Sequence, residues 1–176
     1  MELSILHAIQ QIHTAWLDAV MIFITHLGDG GIFWIATGIV MLFFKKTRRC
    51  GILVLLSMAI CYLMGNIALK NMIARPRPFV ADPAVLMKIA EPGEFSFPSG
   101  HTLHSFTAAT VIFLHYRKAG TAALVLAGLI AFSRLYLFVH YPTDILGGMV
   151  IGISVAVLIV RMIGKKIPKT EDQKAV

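Results

Sequence analysis

Charge is what this chain has least of. Only 14% of its 176 residues are charged, while 57% are hydrophobic, and the mean hydropathy is +0.78. Soluble domains carry about 25% charged and about 45–50% apolar residues, so a soluble globular enzyme is excluded and a polytopic membrane protein is implied. Cysteine is nearly absent. Cys50 and Cys61 fall in one hydrophobic stretch, about 16 Å apart along a helix at 1.5 Å per residue. They cannot pair with each other there and read as small core hydrophobes. No carboxylate pair and no His/Cys group has metal-ligand spacing, so neither a metal nor any other cofactor is expected. A basic leader with a cleavage site is also missing, which reads as a mature start.

Long apolar runs are what the chain does have. A span needs about 20 apolar residues, and three runs meet this clearly: about Cys50–Ile73, Thr121–Val139 and Thr143–Ile163. Two shorter runs, about His101–Tyr116 and Ile32–Phe44, complete a set of five. Residues 1–14 read either as a surface-lying amphipathic helix or as the front of a span ending near Leu27 at the glycine turn of THLGDGG. We favour the span. The expectation is an all-α, polytopic membrane bundle of about six transmembrane helices, forming a single domain over residues 1–176.

The net charge of +7 does not imply a nucleic-acid partner, because most basic residues flank spans. Lys45, Lys46, Arg48 and Arg49, then Arg117 and Lys118, then Lys165, Lys166, Lys169 and Lys174 in a tail over 165–176 fall on one side, which the positive-inside rule makes cytoplasmic. Six spans put both termini there too. The opposite face still carries Lys70, Arg75, Arg77, Lys88 and Arg134. Cations on the translocated side call for an anionic substrate.

That face gathers three polar clusters. In KNMIARPRPF, Pro76 and Pro78 push Arg75 and Arg77 out of the helix, and Arg75 by itself reads as a snorkelling cation. In FSFPSGHT, Ser99 can cap a helix opened by His101. Its free N–H groups form a ready anion site, which Gly100 lets a ligand approach closely. In SRLYLFVHYPTD, Pro142 suits a first helical position. Asp144 then falls in the first turn, where it can cap the helix and hold the His140 imidazole. Intramembrane ionisable groups are functional candidates by default. Two histidines, a carboxylate, several cations and a helix N-terminus make an inventory for phosphoryl transfer without metal.

Lys70, six residues, Arg77-Pro78; then Pro98-Ser99-Gly100-His101; then Ser133-Arg134, five residues, His140, three residues, Asp144: this pattern resembles the three-part signature of the type 2 phosphatidic acid phosphatase family. The resemblance implies that His140 is the nucleophile that becomes phosphorylated, with Asp144 holding its tautomer and His101 acting as general acid. It gives Lys70, Arg77, Ser99, Gly100 and Arg134 to the phosphoryl oxygens. It implies a lipid phosphate in the bilayer as substrate, at the extracytoplasmic face of the cell membrane. Undecaprenyl pyrophosphate leads, with phosphatidylglycerol phosphate, phosphatidic acid and lipid A phosphates open. A non-enzymatic lipid-phosphate binder or transporter is the rival from another class. Outside the motifs, His26 and Asp29 lie on the same face and are given an indirect shaping role. His104 reads as a packing residue, and His7, His13 and His115 as interfacial side chains. Gly147, Gly148 and Gly152 permit close helix packing, within this chain or against a second copy. The loop over 74–100 is long enough to suggest a role in substrate access, with 79–97 on the headgroup layer.

Overall fold

The computed structural model describes residues 1–163, and the Lys165–Lys174 part of the basic tail lies outside them. Among these residues every regular element is helical: α1 Glu2–Gln10, α2 Ala15–His26, α3 Ile32–Phe43, α4 Arg48–Cys61, α5 Lys70–Ile73, α6 Pro78–Ala81, α7 Gly100–His115, α8 Arg117–Tyr136 and α9 Pro142–Met162. A π-helical stretch, Tyr62–Leu69, joins α4 to α5, so one continuous rod runs over the apolar stretch read from about Cys50 to Ile73. Three helical stretches, Arg48–Ala81, α8 and α9, are long and apolar enough to cross a membrane.

The short run at His101–Tyr116 becomes the axis of the bundle. In α7 every residue from Thr102 to Ile112 is buried, packed by α8, α9 and α4. A helix sheathed by other helices need not present apolar length to lipid. It can therefore carry Thr102, Ser105, Thr107 and Thr110 inward, with local partners for their hydroxyls. Thr107 Oγ1 donates to the Leu103 carbonyl at 2.7 Å, and the Trp34 indole N–H reaches Ser105 Oγ at 2.9 Å. Both cysteines are fully buried and free. The α9 glycines serve packing inside the chain. A Cβ at Gly152 would lie 2.6 Å from the Leu103 carbonyl oxygen, and one at Gly148 2.9 Å from that of Ser99.

The N-terminal part departs from expectation. α1 and α2 are separate helices, because Thr14 caps α2 with its hydroxyl accepting from Leu17 N. The corner at Asp29–Gly31, with Gly30 and Gly31 at positive φ, bends α2 against α3 by 40° and does not reverse the chain. The pair, taken as one stretch, is the fourth that is long and apolar enough to cross a membrane, against the six spans expected. One end is tied by basic loops, where Tyr116 Oη donates to the Lys46 carbonyl. The other end holds α1: Glu2 bonds Arg75 and Thr143, and Gln10 donates to the Tyr136 carbonyl. The N-terminus thus sits opposite the basic loops, which corrects its placement beside them.

The α7–α9 contact leaves no room for a side chain at Gly152. Gly152→Val is expected to cost about 1–3 kcal/mol through overpacking, lowering the thermal midpoint in detergent. Gly128→Ala, which meets nothing within 4 Å, is expected to stay within about 0.5 kcal/mol.

Candidate active site

At the end away from the basic loops, a cavity of about 620 Å³ is lined by Lys70, Arg77, Gly100, His101, Arg134 and His140. Three distant stretches of chain converge there. The π-helical turns widen the rod so that Tyr62, Asn66 and Lys70 face the cavity in succession, a placement typical of functional π-bulges. The chain leaves α8 through Phe138, a bulky residue held at φ +59°. Such a conformation costs of the order of 1–3 kcal/mol and is clamped here among Leu6, Tyr141 and Leu135. Two residues later His140 points inward, 2% exposed.

Both nitrogens of His140 are assigned by their neighbours. Arg77 Nη1 donates to Nε2 at 3.2 Å, so Nε2 carries the lone pair. Nδ1 bears the proton and faces Asp144 Oδ2 and Ser96 Oγ, each at 3.4 Å. Burial, the largest influence, pushes the imidazole down to about 3, leaving it neutral. Asp144 is fully buried and also caps its own helix, accepting from Tyr141 N at 2.8 Å. One carboxylate thus stands at both the helix start and the His140 ring. It further accepts from Ser96 Oγ and from Arg75 Nη1 at 2.6 Å.

Arg75 is therefore no snorkelling cation. It stacks on the Tyr141 ring at 3.9 Å and clamps Asp144 to Glu2 of α1. Ser96 and Arg75 escaped the sequence reading because their partners lie 48 and 69 residues away; no local signal marks either. Glu94 escaped it too. Its carboxylate pairs with the buried Lys70 ammonium, which holds it below the usual carboxylate range. Residues 89–94 line the cavity, so the long loop folds back over the site, and Phe79, Met87 and Ile89 pack beside Tyr136 and Val139. Arg134 Nη1 donates to Thr25.

Ser99 and Asp144 stand behind the cavity wall. The Ser99 side chain is fully buried and turned to the helix start, where Oγ accepts from Thr102 N and Thr102 Oγ1. It shapes the Gly100 approach without facing a ligand, unlike the direct phosphate contact expected of it. His101 Nε2 lies 2.9 Å from Asp29 Oδ1. His104, buried at 5%, lines the cavity as well as packing near Tyr62. Among the described residues no group of three His, Cys, Asp or Glu side chains could hold a metal ion.

This arrangement has relatives. The model of the PAP2 superfamily matches residues 51–168. An undecaprenyl-diphosphatase of Sulfolobus acidocaldarius is 32% identical over 84% of this chain and 71% of its own. Phosphatidylglycerophosphatase B of Bacillus subtilis is 35% identical over 84% of this chain and 76% of its own. The crystal structure of a transmembrane PAP2-type phosphatidylglycerolphosphate phosphatase from Bacillus subtilis superposes with a TM-score of 0.75 at 32% identity, over 96% of this chain and 86% of that one. The chain belongs to the PAP2 superfamily. It is a membrane protein and an enzyme of that phosphatase family.

The His140 site makes stability depend on pH. Unfolded, its imidazole titrates near 6.5; folded, near 3. Between these values the unfolded state binds more protons, so stability rises with pH. Glu94, lowered from 4.5, acts in the same direction below that value. The thermal midpoint in detergent should fall as pH drops from 7 towards 4, with a shallower fall in His140→Gln. A flat or rising midpoint would contradict the buried neutral imidazole.

Proposed function

We propose that this protein removes a phosphoryl group from a lipid phosphate or pyrophosphate at the extracytoplasmic face of the cell membrane, through a phosphohistidine on His140. The supporting observation is the buried His140 imidazole with Asp144 at its protonated nitrogen and an arginine N–H on its lone pair. The guanidinium marks where an electrophile would stand, and a phosphoryl group that displaces it meets Nε2 directly.

Nε2 attacks phosphorus, the bond to the lipid oxygen breaks, and a proton from the His101 imidazolium goes to that oxygen. Water then attacks the phosphohistidine and gives a proton back to His101. The P–N bond breaks with its electrons returning to His140, and orthophosphate leaves. Lys70, Arg77, Arg134 and the Gly100 N–H at the α7 start neutralise the phosphoryl oxygens. Lys70 must first exchange the Glu94 carboxylate for phosphate, which supports a role for the 89–94 wall in substrate access. The basic loops at the far end of the bundle support an extracytoplasmic cavity, by the positive-inside rule.

Undecaprenyl pyrophosphate is the leading substrate, in keeping with the Sulfolobus relative. Phosphatidylglycerol phosphate is the second reading, favoured by the likeness to the Bacillus enzymes. Phosphate release by purified protein from each lipid, with chelator present throughout, tests activity and ranks the two. His140→Ala is expected to lose about 10³-fold or more in kcat while still binding lipid phosphate. Turnover unchanged by that substitution would remove the nucleophile, and binding without turnover in the wild type would favour a transporter or binder.

A further inference from the structure

The second histidine of the site has a carboxylate of its own. Asp29 sits in the glycine corner between α2 and α3. One oxygen lies 2.9 Å from His101 Nε2 and the other 2.7 Å from His26 Nδ1. The corner is fitted to this contact. A Cβ at Gly28 would fall 2.6 Å from His101 Cδ2, so only glycine lets the turn close against the ring. Gly30 and Gly31, at φ +58° and +69°, then aim Asp29 back at it. His101 is 18% exposed in its side chain and His26 60%, so the carboxylate bridges a cavity group to a solvent-facing one. Three signature stretches of this chain contain no residue of the corner, and nothing in the reaction above uses it.

We propose that Asp29 is the positioning residue of the general acid, doing for His101 what Asp144 does for His140. The inference rests on His101 as the proton donor in the reading above. Asp29 accepts Nε2–H, which leaves Nδ1–H for the lipid oxygen and opposes the charges that disfavour an imidazolium here. Those lining the cavity with His101 are Arg134 from α8, Lys70 from the neighbouring rod, Arg77 and, if protonated, His104 one turn along α7; Glu94 and Glu91 from the loop are the other anions. His26 holds the far oxygen and fixes the carboxylate plane. In the first step the proton leaves His101 Nδ1 for the departing oxygen while Nε2–H stays on Asp29. In the second step a water proton returns to Nδ1.

The test uses kcat/KM, which reports the step up to phosphorylation, for an alkyl phosphate lipid and for p-nitrophenyl phosphate. The nitrophenolate leaves without needing a proton. Asp29→Asn is expected to lower kcat/KM about 10–10²-fold on the lipid, part of the 10²–10⁴ a general acid supplies, and less than about threefold on the aryl ester. Its alkaline limb should move to lower pH, because an imidazolium without its carboxylate loses its proton sooner. Asp29→Glu should recover part of the lipid activity, and His26→Gln should shift the limb less than Asp29→Asn. Equal losses on both substrates, in Asp29→Asn or in Asp29→Glu should the amide not fold, would make Asp29 merely structural and overturn the proposal. An unmoved alkaline limb would overturn it too. His140→Ala assayed in parallel separates the two readings: it must abolish both substrates if the phosphohistidine reading holds, whatever Asp29 does.

Discussion

One constraint governs the rest of this molecule: a neutral imidazole must be kept deep in a nest of arginines with its lone pair pointing outward. Burial alone keeps His140 uncharged, but it would leave the ring free to rotate and to exchange tautomers. Asp144 on one nitrogen and Arg77 on the other remove that freedom. Each of those charges is itself buried, and an unpaired buried charge costs several kcal/mol. The network therefore extends outward until it is satisfied, through Arg75 to Glu2, through Ser96, and through Arg77 to the carbonyls of Glu94 and Val139.

The fold follows from holding that network at one end of the bundle. α7 supplies the N-terminal dipole and must be surrounded, so α9 carries glycines where it crosses Leu103 and α8 packs along the other side. α1 lies across the site end because its first acidic residue completes the Arg75 clamp. The loop over 74–100 is long because it must bring Glu94, Ser96 and the start of α7 to one basket from a helix that ended at Ile73. Lys70, Arg77 and Arg134 are then gathered at one spot, where an incoming phosphate would take the place of Glu94 beside Lys70.

Much of this was legible in the residues. Apolar length marked the long spans, and proline, serine and glycine marked where helices stop and start. The three clusters marked the end that gathers His101, His140, Lys70, Arg77 and Arg134. What stayed hidden was pairing over long sequence separation. Arg75 looks like any cation at a span end until Asp144, 69 residues on, is seen beneath it. A glycine corner signals a turn but not its angle, and the one at Asp29–Gly31 bends α2 against α3 by 40°. Ser99 was read as capping and as binding phosphate; its buried cap geometry serves the first.

The most direct test of the central claim is a crystal structure with orthovanadate, whose metal centre accepts a fifth ligand as phosphorus does in the transition state. The account predicts vanadium bonded to His140 Nε2, its equatorial oxygens on Lys70, Arg77, Arg134 and the Gly100 N–H, and its apical oxygen facing His101. Vanadate bound through His101, or held in the cavity with no bond to either ring, would contradict it.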